Sequence, residues 1–340
     1  MRGGRDRARK ALSKALITGG AGFIGYHLAS HLVSSGWRVD LVDSFSRGAS
    51  DSALAELWAS PGVRVLERDL RAAEALADAG TDYTHVFHLA AIVGVSRVLE
   101  RPYEVLRDNV GMLMHTLEFA RTQPRLERFL FASTSEVYAG SFHHLTLPIP
   151  TPEDVPLALP DLAHPRTSYL LSKIYGEAMC RQAGIPFTIV RPHNVYGPRM
   201  GLAHVIPELL ERAHAAADGG ALDVFSLDHR RAFCYVDDAV ELVARASTAD
   251  GCDEEVLNVG REEREVSIAE LARIVVSVVG KRLEIVDAGE GAGSPRRRCP
   301  NMTKTTRLTG YRASVDLEQG IGLTYEWYRE NVFDRPVAVR

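Results

Sequence analysis

The chain has 340 residues, of which 46% are hydrophobic and 25% are charged, and its formal net charge is −4 at pH 7. This composition is typical of a globular protein with one large or two linked domains, and the small negative charge gives no footprint for nucleic acid or an anionic membrane. No apolar run reaches transmembrane length, and the four cysteines lack metal-like or disulfide-like spacing, which favours a reduced, cytoplasmic setting.

The first distinctive feature is a glycine-rich turn after a basic N-terminal stretch. Residues 1–13 lack the apolar core of a signal peptide, and we predict a disordered basic leader there. An apolar strand over 15–18 then leads into Gly19, Gly22 and Gly25, and apolar residues at helical spacing follow. Such a turn lets a pyrophosphate approach the backbone at a helix N-terminus, so it predicts a dinucleotide site, although a glycine cluster can also be an ordinary turn.

Acidic residues follow the next two predicted strands. The strand over 38–42 ends at Asp43, and an acid there accepts hydrogen bonds from the adenosine ribose and repels a 2′-phosphate, which favours NAD over NADP. Arg47 nearby keeps NADP open as an alternative. Asp69 follows the strand over 63–66, where it can reach the adenine amine or be an ordinary acid at a strand end.

Strands alternate with helices up to residue 191, which predicts an α/β fold with a Rossmann-type, doubly wound parallel sheet. We assign 14–191 to a dinucleotide-binding domain and 192–340 to a smaller mixed α/β substrate domain. The predicted strands of the first domain are 15–18, 38–42, 63–66, 85–89, 128–133 and 187–191, and its clearest helices are 103–122 and 168–182. In the second domain the pattern predicts helices over 205–217, 237–246, 267–279 and 303–309, with a capping box at Ser267 and Glu270, and short strands over 222–225, 256–259 and 283–286.

Two segments carry groups suited to acid–base chemistry. The fifth predicted strand runs into Thr134, Ser135 and Glu136 at the edge of the sheet where ligands bind in such folds. Thr134 can hydrogen-bond a substrate hydroxyl, and Glu136 adds an acid–base group that hydride transfer alone does not need. Tyr169 and Lys173 are four residues apart on a predicted helix, so they share a face. An ammonium near a phenol lowers the pKa of the phenol, and the pair therefore predicts a tyrosine general base.

Arginines are frequent in the second half of the chain, and their guanidinium groups suit phosphate and carboxylate ligands. We expect one residue of the run 296–298 to contact a ligand and the others to be solvated. The histidines have no convincing metal spacing, so we expect no metal site.

Together these residues resemble the extended short-chain dehydrogenase/reductase family, specifically its nucleotide-sugar epimerases, dehydratases and decarboxylases. The resemblance covers about residues 14 to 330. Its pieces, in chain order, are TGGAGFIG (18–25), RDL (68–70), HLAA (88–91), DNV (108–110), STSEVY (133–138), YLLSK (169–173), RPHNVYGPRM (191–200), RAFCYVDD (231–238) and LNVG (257–260).

The resemblance implies bound NAD, a nucleotide-sugar-binding second domain and a reaction through a 4-keto sugar. By this analogy, Tyr169 removes the proton of the sugar 4-hydroxyl, Thr134 orients that hydroxyl, and Lys173 also holds the nicotinamide ribose. Besides the glycines and acids already named, the implied NAD-binding residues are Phe23, Ile24, Leu70, Leu89, Ala90, Ala91 and Asn109. The implied substrate-binding residues, besides Thr134, are Val93, Asn194, Arg199, His204, Val205, Arg231 and Arg297.

The particular reaction stays open at this point. Thr-Ser-Glu at 134–136 is similar to UDP-glucuronate decarboxylases and GDP-mannose dehydratases, whereas 4-epimerases are frequent in the broad family. Our leading prediction is NAD-dependent 4-epimerisation of a UDP-sugar such as UDP-glucuronate. The alternatives are 4,6- or 5,6-dehydration, or UDP-glucuronate decarboxylation that uses Glu136. A non-catalytic dinucleotide-sensing protein is a remote alternative, because Thr134, Tyr169 and Lys173 are all present.

The resemblance also implies a homodimer. Members of the family pair helices such as 103–122 and 168–182 into a four-helix interface, although burial of these helices inside the monomer is the alternative. We expect a cytoplasmic enzyme whose partner is a nucleotide sugar, with no nucleic-acid or membrane partner.

Overall fold

The computed structural model describes residues 13–46, 51–291 and 295–334. Residues 1–12 of the predicted leader and Arg47 lie outside the described residues. Within the described ranges the strands are β1 (Lys14–Thr18), β2 (Arg38–Asp43), β3 (Val63–Glu67), β4 (His85–His88), β5 (Arg128–Ala132), β6 (Phe187–Pro192), β7 (Val195–Tyr196), β8 (Ala221–Val224), β9 (Arg230–Ala232), β10 (Cys234–Tyr235), β11 (Glu255–Val259), β12 (Glu265–Ser267), β13 (Glu284–Asp287) and β14 (Arg297–Arg298).

The helices agree closely with the sequence patterns, and the capping box at Ser267 and Glu270 is confirmed. In the same ranges no helix is long and apolar enough to cross a bilayer. The α-helices are α1 (Phe23–Ser34), α2 (Ser52–Ala59), α3 (Val95–Glu100), α4 (Pro102–Arg121), α5 (Ala139–His144), α6 (Thr167–Gln182), α7 (Val205–Ala215), α8 (Val236–Thr248), α9 (Ile268–Val279), α10 (Thr303–Thr309) and α11 (Leu317–Tyr328).

The predicted parallel sheet is confirmed. In the described part of the chain it has seven strands in the order β11-β6-β5-β4-β1-β2-β3, and every neighbouring pair is parallel. Because β1 lies between β2 and β4, the winding direction reverses there, and the carboxyl ends of these strands open at one edge. This is the edge at which doubly wound sheets bind ligands.

Both faces of the sheet are buried, as a parallel sheet requires. Along β1 the side chains alternate, so that Ile17 enters one core and Leu16 enters the other. The core around Leu16 is covered by α4 and α6, which contribute Leu113 and Cys180. The core around Ile17 lies under α1 and α8 and continues into the second half of the chain.

One element lies elsewhere than the sequence suggested. The strand predicted at 256–259, which we assigned to the substrate domain, is β11, and it pairs in parallel with β6 from Glu255 to Val259 at the edge of the large sheet. Helix α8 also packs against α1 and the large sheet. The chain therefore returns to the first domain after residue 192. β11 is an apolar strand, and beside β6 both of its faces are covered. The smaller lobe is built on β8 with β13, and on β9 with β12 and β14.

Candidate active site

The glycine turn packs so closely that two of its positions have no space for a side chain. Gly19 has a φ of +71°, and a Cβ there would lie 2.9 Å from the amide nitrogen of Ala90. A Cβ at Gly25 would collide with the carbonyl of Gly19. Gly22 occupies the N-cap of α1 and has no side chain to accept from the first-turn N–H groups, which include those of Phe23 and Ile24. The N-terminus of α1 therefore fits a pyrophosphate, because its first N–H groups have no side-chain acceptor at the N-cap.

Asp43 lies next to this turn at the end of β2. Its carboxylate accepts from the backbone N–H of Ala21 at 3.0 Å and from that of Phe45 at 2.9 Å. Asp43 thus ties the glycine turn to the loop after β2, where an adenosine ribose would lie in this fold. Further along the same edge, Asp69 is paired with Arg71 at 3.0 Å, and this hydrogen bond holds the pKa of Asp69 below its usual value. Leu70 follows directly and is buried.

The loop after β4 is held along the other side of the turn. Leu89 and Ala90 donate to the backbone and the side chain of Thr18, at 3.2 Å in both cases. Asn109, on α4, accepts from the N–H of Ile92 at 2.6 Å and donates to its carbonyl at 3.1 Å. Asn109 therefore fixes the loop that contains Ala91 and Val93.

Three of the predicted catalytic residues come together at the end of β5. The Lys173 Nζ donates to the Ala132 carbonyl at 2.7 Å and lies 5.9 Å from the centre of the Tyr169 ring. The Thr134 hydroxyl is close enough to the phenol of Tyr169 to lower its pKa. The i, i+4 spacing on α6 thus places a phenol and an ammonium together, beside the hydroxyl that follows β5.

The acidity of this group differs from the sequence expectation. Burial raises the pKa of Tyr169 above its usual range, the nearby Glu136 charge raises it further, and only the Thr134 hydroxyl opposes them. Burial also lowers the pKa of Lys173 to about 8. Burial, and not the charge of Lys173, therefore dominates the acidity of the phenol, in contrast to the prediction from the sequence. A cation bound beside the ring would shift the balance toward the phenolate.

Glu136 forms a second centre next to Tyr169. It lies in the 3₁₀ turn Ser135–Tyr138, whose N-cap, Thr134, accepts from the Glu136 N–H at 3.2 Å. The half-buried carboxylate accepts from Arg298 Nη1 at 2.7 Å. Burial tends to raise the pKa of Glu136, but the charges of Arg298, Arg166 and Arg231 outweigh it and hold the pKa below its usual value. Glu136 is therefore ionised at neutral pH, in a cationic surround.

Two of these arginines were not selected from the sequence. The arginine of the 296–298 run that reaches the site is Arg298, which is 11% exposed, and not Arg297. Arg297 lies on the other side of β14 and is paired with Glu265 at 2.8 Å. The alternation of side chains along a strand could have indicated that only one of two neighbours faces the site. Arg166, one turn before Tyr169, is the other residue that sequence reasoning missed.

The remaining predicted substrate residues lie on several elements after β6. Asn194 has a φ of +42° and donates to the Ala232 carbonyl at 2.9 Å. Arg231 donates to the carbonyl of Pro295 at 2.6 Å, and burial lowers its pKa to about 10. His204 and Val205 are exposed at the start of α7.

Arg199 lies further from this group, against the first helices. It forms an ion pair with Asp51 and packs 4.3 Å from the centre of the Tyr26 ring. The structure therefore places Arg199 beside α1 and the N-terminus of α2, and not with Glu136.

A family model agrees with this geometry. The model of the NAD dependent epimerase/dehydratase family matches residues 15–260, which include the glycine turn, Tyr169 and Lys173. The chain belongs to this family. It is therefore an NAD-dependent enzyme, and the N-terminus of α1 at the glycine turn fits that cofactor.

Several known proteins are similar over more than nine-tenths of the chain. A UDP-N-acetyl-alpha-D-glucosaminuronate decarboxylase of Bacillus cytotoxicus is 33% identical over 330 residues, which cover 93% of this chain and 98% of the relative. UDP-glucuronic acid decarboxylase 1 of Xenopus tropicalis is 29% identical, over 96% of this chain and 74% of the relative. Among solved structures, a UDP-glucuronic acid 4-epimerase from Bacillus cereus, in complex with UDP-4-deoxy-4-fluoro-glucuronic acid and NAD, is 25% identical with a TM-score of 0.80, over 93% of this chain and 99% of that one.

Proposed function

We propose that the protein is an NAD-dependent decarboxylase of a UDP-hexuronic acid that acts through a 4-keto sugar. The observation that carries the proposal is the Glu136–Arg298 pair beside Tyr169, with Arg166 and Arg231 close enough to affect the same carboxylate. A 4-epimerase needs only the tyrosine base and space for the sugar to turn. A cationic pocket next to an ionised acid suits a sugar that carries its own carboxylate.

The relatives support the same choice over our leading sequence prediction of 4-epimerisation. The two curated relatives described above are decarboxylases of UDP-linked uronic acids, and the similarity extends over more than nine-tenths of this chain. UDP-glucuronate and its 2-acetamido counterpart are therefore the substrates we propose.

The first step uses the group at the end of β5. Tyr169 takes the proton of the sugar 4-hydroxyl while Thr134 hydrogen-bonds the same oxygen, and Lys173 adds a positive charge beside the ring. NAD, when bound, supplies reversible acceptance of the C4 hydride. The oxidised sugar is a β-keto acid, with its ketone at C4 and its carboxylate at C6. When the C5–C6 bond breaks, CO₂ leaves and the electron pair is shared between C5 and the C4 oxygen.

The second centre handles the carboxylate and the proton. Arg298 binds the sugar carboxylate in the ground state, and Arg166 adds a second positive charge near Glu136. After CO₂ leaves, C5 takes a proton from solvent, and the ionised Glu136 orders the donor water by accepting from it. Tyr169 returns its proton to the C4 oxygen when the hydride comes back. We assign Asn194 and Arg231 to the diphosphate.

The experiment is proton NMR of the purified protein with UDP-glucuronate and with UDP-N-acetylglucosaminuronate. The proposal predicts a UDP-pentose product from at least one of them. Glu136→Gln should reduce its rate about 100-fold, because the donor water is then no longer held in position. A C4 epimer that keeps its carboxylate, formed at the same rate by Glu136→Gln, would establish 4-epimerisation in its place.

We also propose a homodimer through α4 and α6, which pack side by side. The outer face of this helix pair exposes large apolar side chains, namely Tyr103, which is 70% exposed, Met114 and Tyr175. Such a face favours association with a second copy of the chain.

A further inference from the structure

His193 lies between the two segments that carry Glu136 and Arg298. Its ring is 5.9 Å from that of Tyr138, which is in the same turn as Glu136. On the other side, a Cβ on Gly260 would lie 3.2 Å from the Cβ of His193 and 2.9 Å from a ring carbon of Pro300, so both side chains converge on this glycine. His193 is only 1% exposed, and it has no part in the proposed reaction steps.

Asn258 determines which nitrogen of the His193 ring carries the proton. The amide nitrogen of Asn258 donates to the carbonyls of Thr151 at 3.0 Å and Asn301 at 3.1 Å, so its Oδ1 is an acceptor. His193 Nε2 lies 3.0 Å from this oxygen and is therefore the N–H donor. Burial lowers the pKa of His193 to about 3, so the ring is neutral and its Nδ1 keeps a lone pair.

Two complementary buried atoms on this side of the site are unpaired. Within the ranges that the structure describes, Nδ1 of His193 has no hydrogen-bond partner, and neither has the Nε–H of Arg298. The first is an acceptor and the second a donor. The charge of Arg298 is near enough to disfavour protonation of the histidine. Buried polar atoms without partners are rare in native proteins, and such a pair indicates an arrangement that is completed in another state.

We infer that His193 is a positioning residue for Arg298, whose Nε–H it accepts when the sugar carboxylate is bound. With Nη1 on Glu136 and Nε on His193, the planar guanidinium is fixed by two of its nitrogens, and its Nη2 edge faces the carboxylate. The inference rests on the proposed function, because it takes the sugar carboxylate as the ligand of Arg298. It adds a residue that sets specificity for an acidic sugar without touching it.

Two variants of His193 separate its two nitrogens. His193→Asn keeps an acceptor near the position of Nδ1, whereas His193→Gln keeps a polar group near Nε2 for Asn258 but has no acceptor toward Arg298. Both are made in a Tyr169→Phe background, which prevents turnover, and the NAD-loaded full-length proteins are titrated with UDP-glucuronate and with the neutral UDP-glucose by calorimetry. Thermal unfolding of each variant checks that it is folded.

We expect His193→Gln to weaken UDP-glucuronate binding about tenfold, the effect of one hydrogen bond to a charged group, and to change UDP-glucose binding less than about twofold. His193→Asn should restore most of the loss. If His193→Gln weakens the binding of both ligands equally, or leaves the binding of both unchanged, the inference is overturned. If the parent protein does not prefer UDP-glucuronate to UDP-glucose, the proposed function itself fails, and this is visible before either histidine variant is compared.

Discussion

The buried pair between Glu177 and Arg191 supports the strand end that carries Thr134. Glu177 Oε1 accepts from Ser133 Oγ at 2.6 Å and from Arg191 Nε at 2.9 Å, and Oε2 accepts from Arg191 Nη2 at 2.7 Å. Glu177 is 5% exposed and Arg191 is 3% exposed. Replacement by glutamine turns one carboxylate oxygen into an NH₂ group that faces a guanidinium donor, and leaves the arginine charge buried without compensation.

We expect Glu177→Gln to lower the free energy of unfolding by about 3–5 kcal/mol, the cost of breaking a buried ion pair from one side. The assay is urea denaturation followed by circular dichroism at a fixed NAD concentration. The matched control is Glu118→Gln on α4, which removes an exposed pair with Arg121 and should change the same free energy by less than about 1 kcal/mol. A loss for Glu177→Gln below about 1 kcal/mol, or equal to that of the control, would refute the reasoning.

Four further predictions concern the cofactor, the base, the lysine and the interface. Tyr169→Phe should lower kcat about 1000-fold in the NMR assay while NAD stays bound. Asp43→Ala, which removes the acceptor of two backbone N–H groups, should weaken NAD in a fluorescence titration and raise the NADP-to-NAD affinity ratio. Because the folded pKa of Lys173 is about 8, below the unfolded value of 10.5, the unfolded state binds more protons between these pH values. Stability should therefore rise from pH 8 to 10.5 in the wild type by about 3 kcal/mol more than in Lys173→Met. Met114→Glu with Tyr175→Glu should convert a dimer into a monomer in light scattering; an unchanged mass would exclude this interface.

Features that depend on neighbours along the chain were predictable. The strand into the glycine turn, the Tyr169–Lys173 spacing on α6 and the capping box at Ser267 each occupy a few consecutive residues, and all three have the structure that the sequence indicated. The family resemblance also follows from such local motifs.

Features that depend on contacts between distant parts of the chain could not be predicted from the sequence. β11 joins the large sheet because β6 offers it a free edge, and no local signal separates this from a strand of the small lobe. Arg298 meets Glu136 across 162 positions of sequence, so only the course of β14 beside β9 could select it over Arg297. The raised pKa of Tyr169 results from burial, which spacing along a helix does not reveal.

Solvent deuterium incorporation tests the central claim, that Glu136 and Arg298 serve chemistry at C5 and C6. The enzyme is incubated with UDP-glucuronate in D₂O, and the product is read by proton and carbon NMR. Decarboxylation predicts a UDP-pentose with one deuterium at C5, where the released electron pair takes a solvent proton, and hydrogen at C4, where the hydride returns. A C4 epimer with its carboxylate and without deuterium would contradict the account.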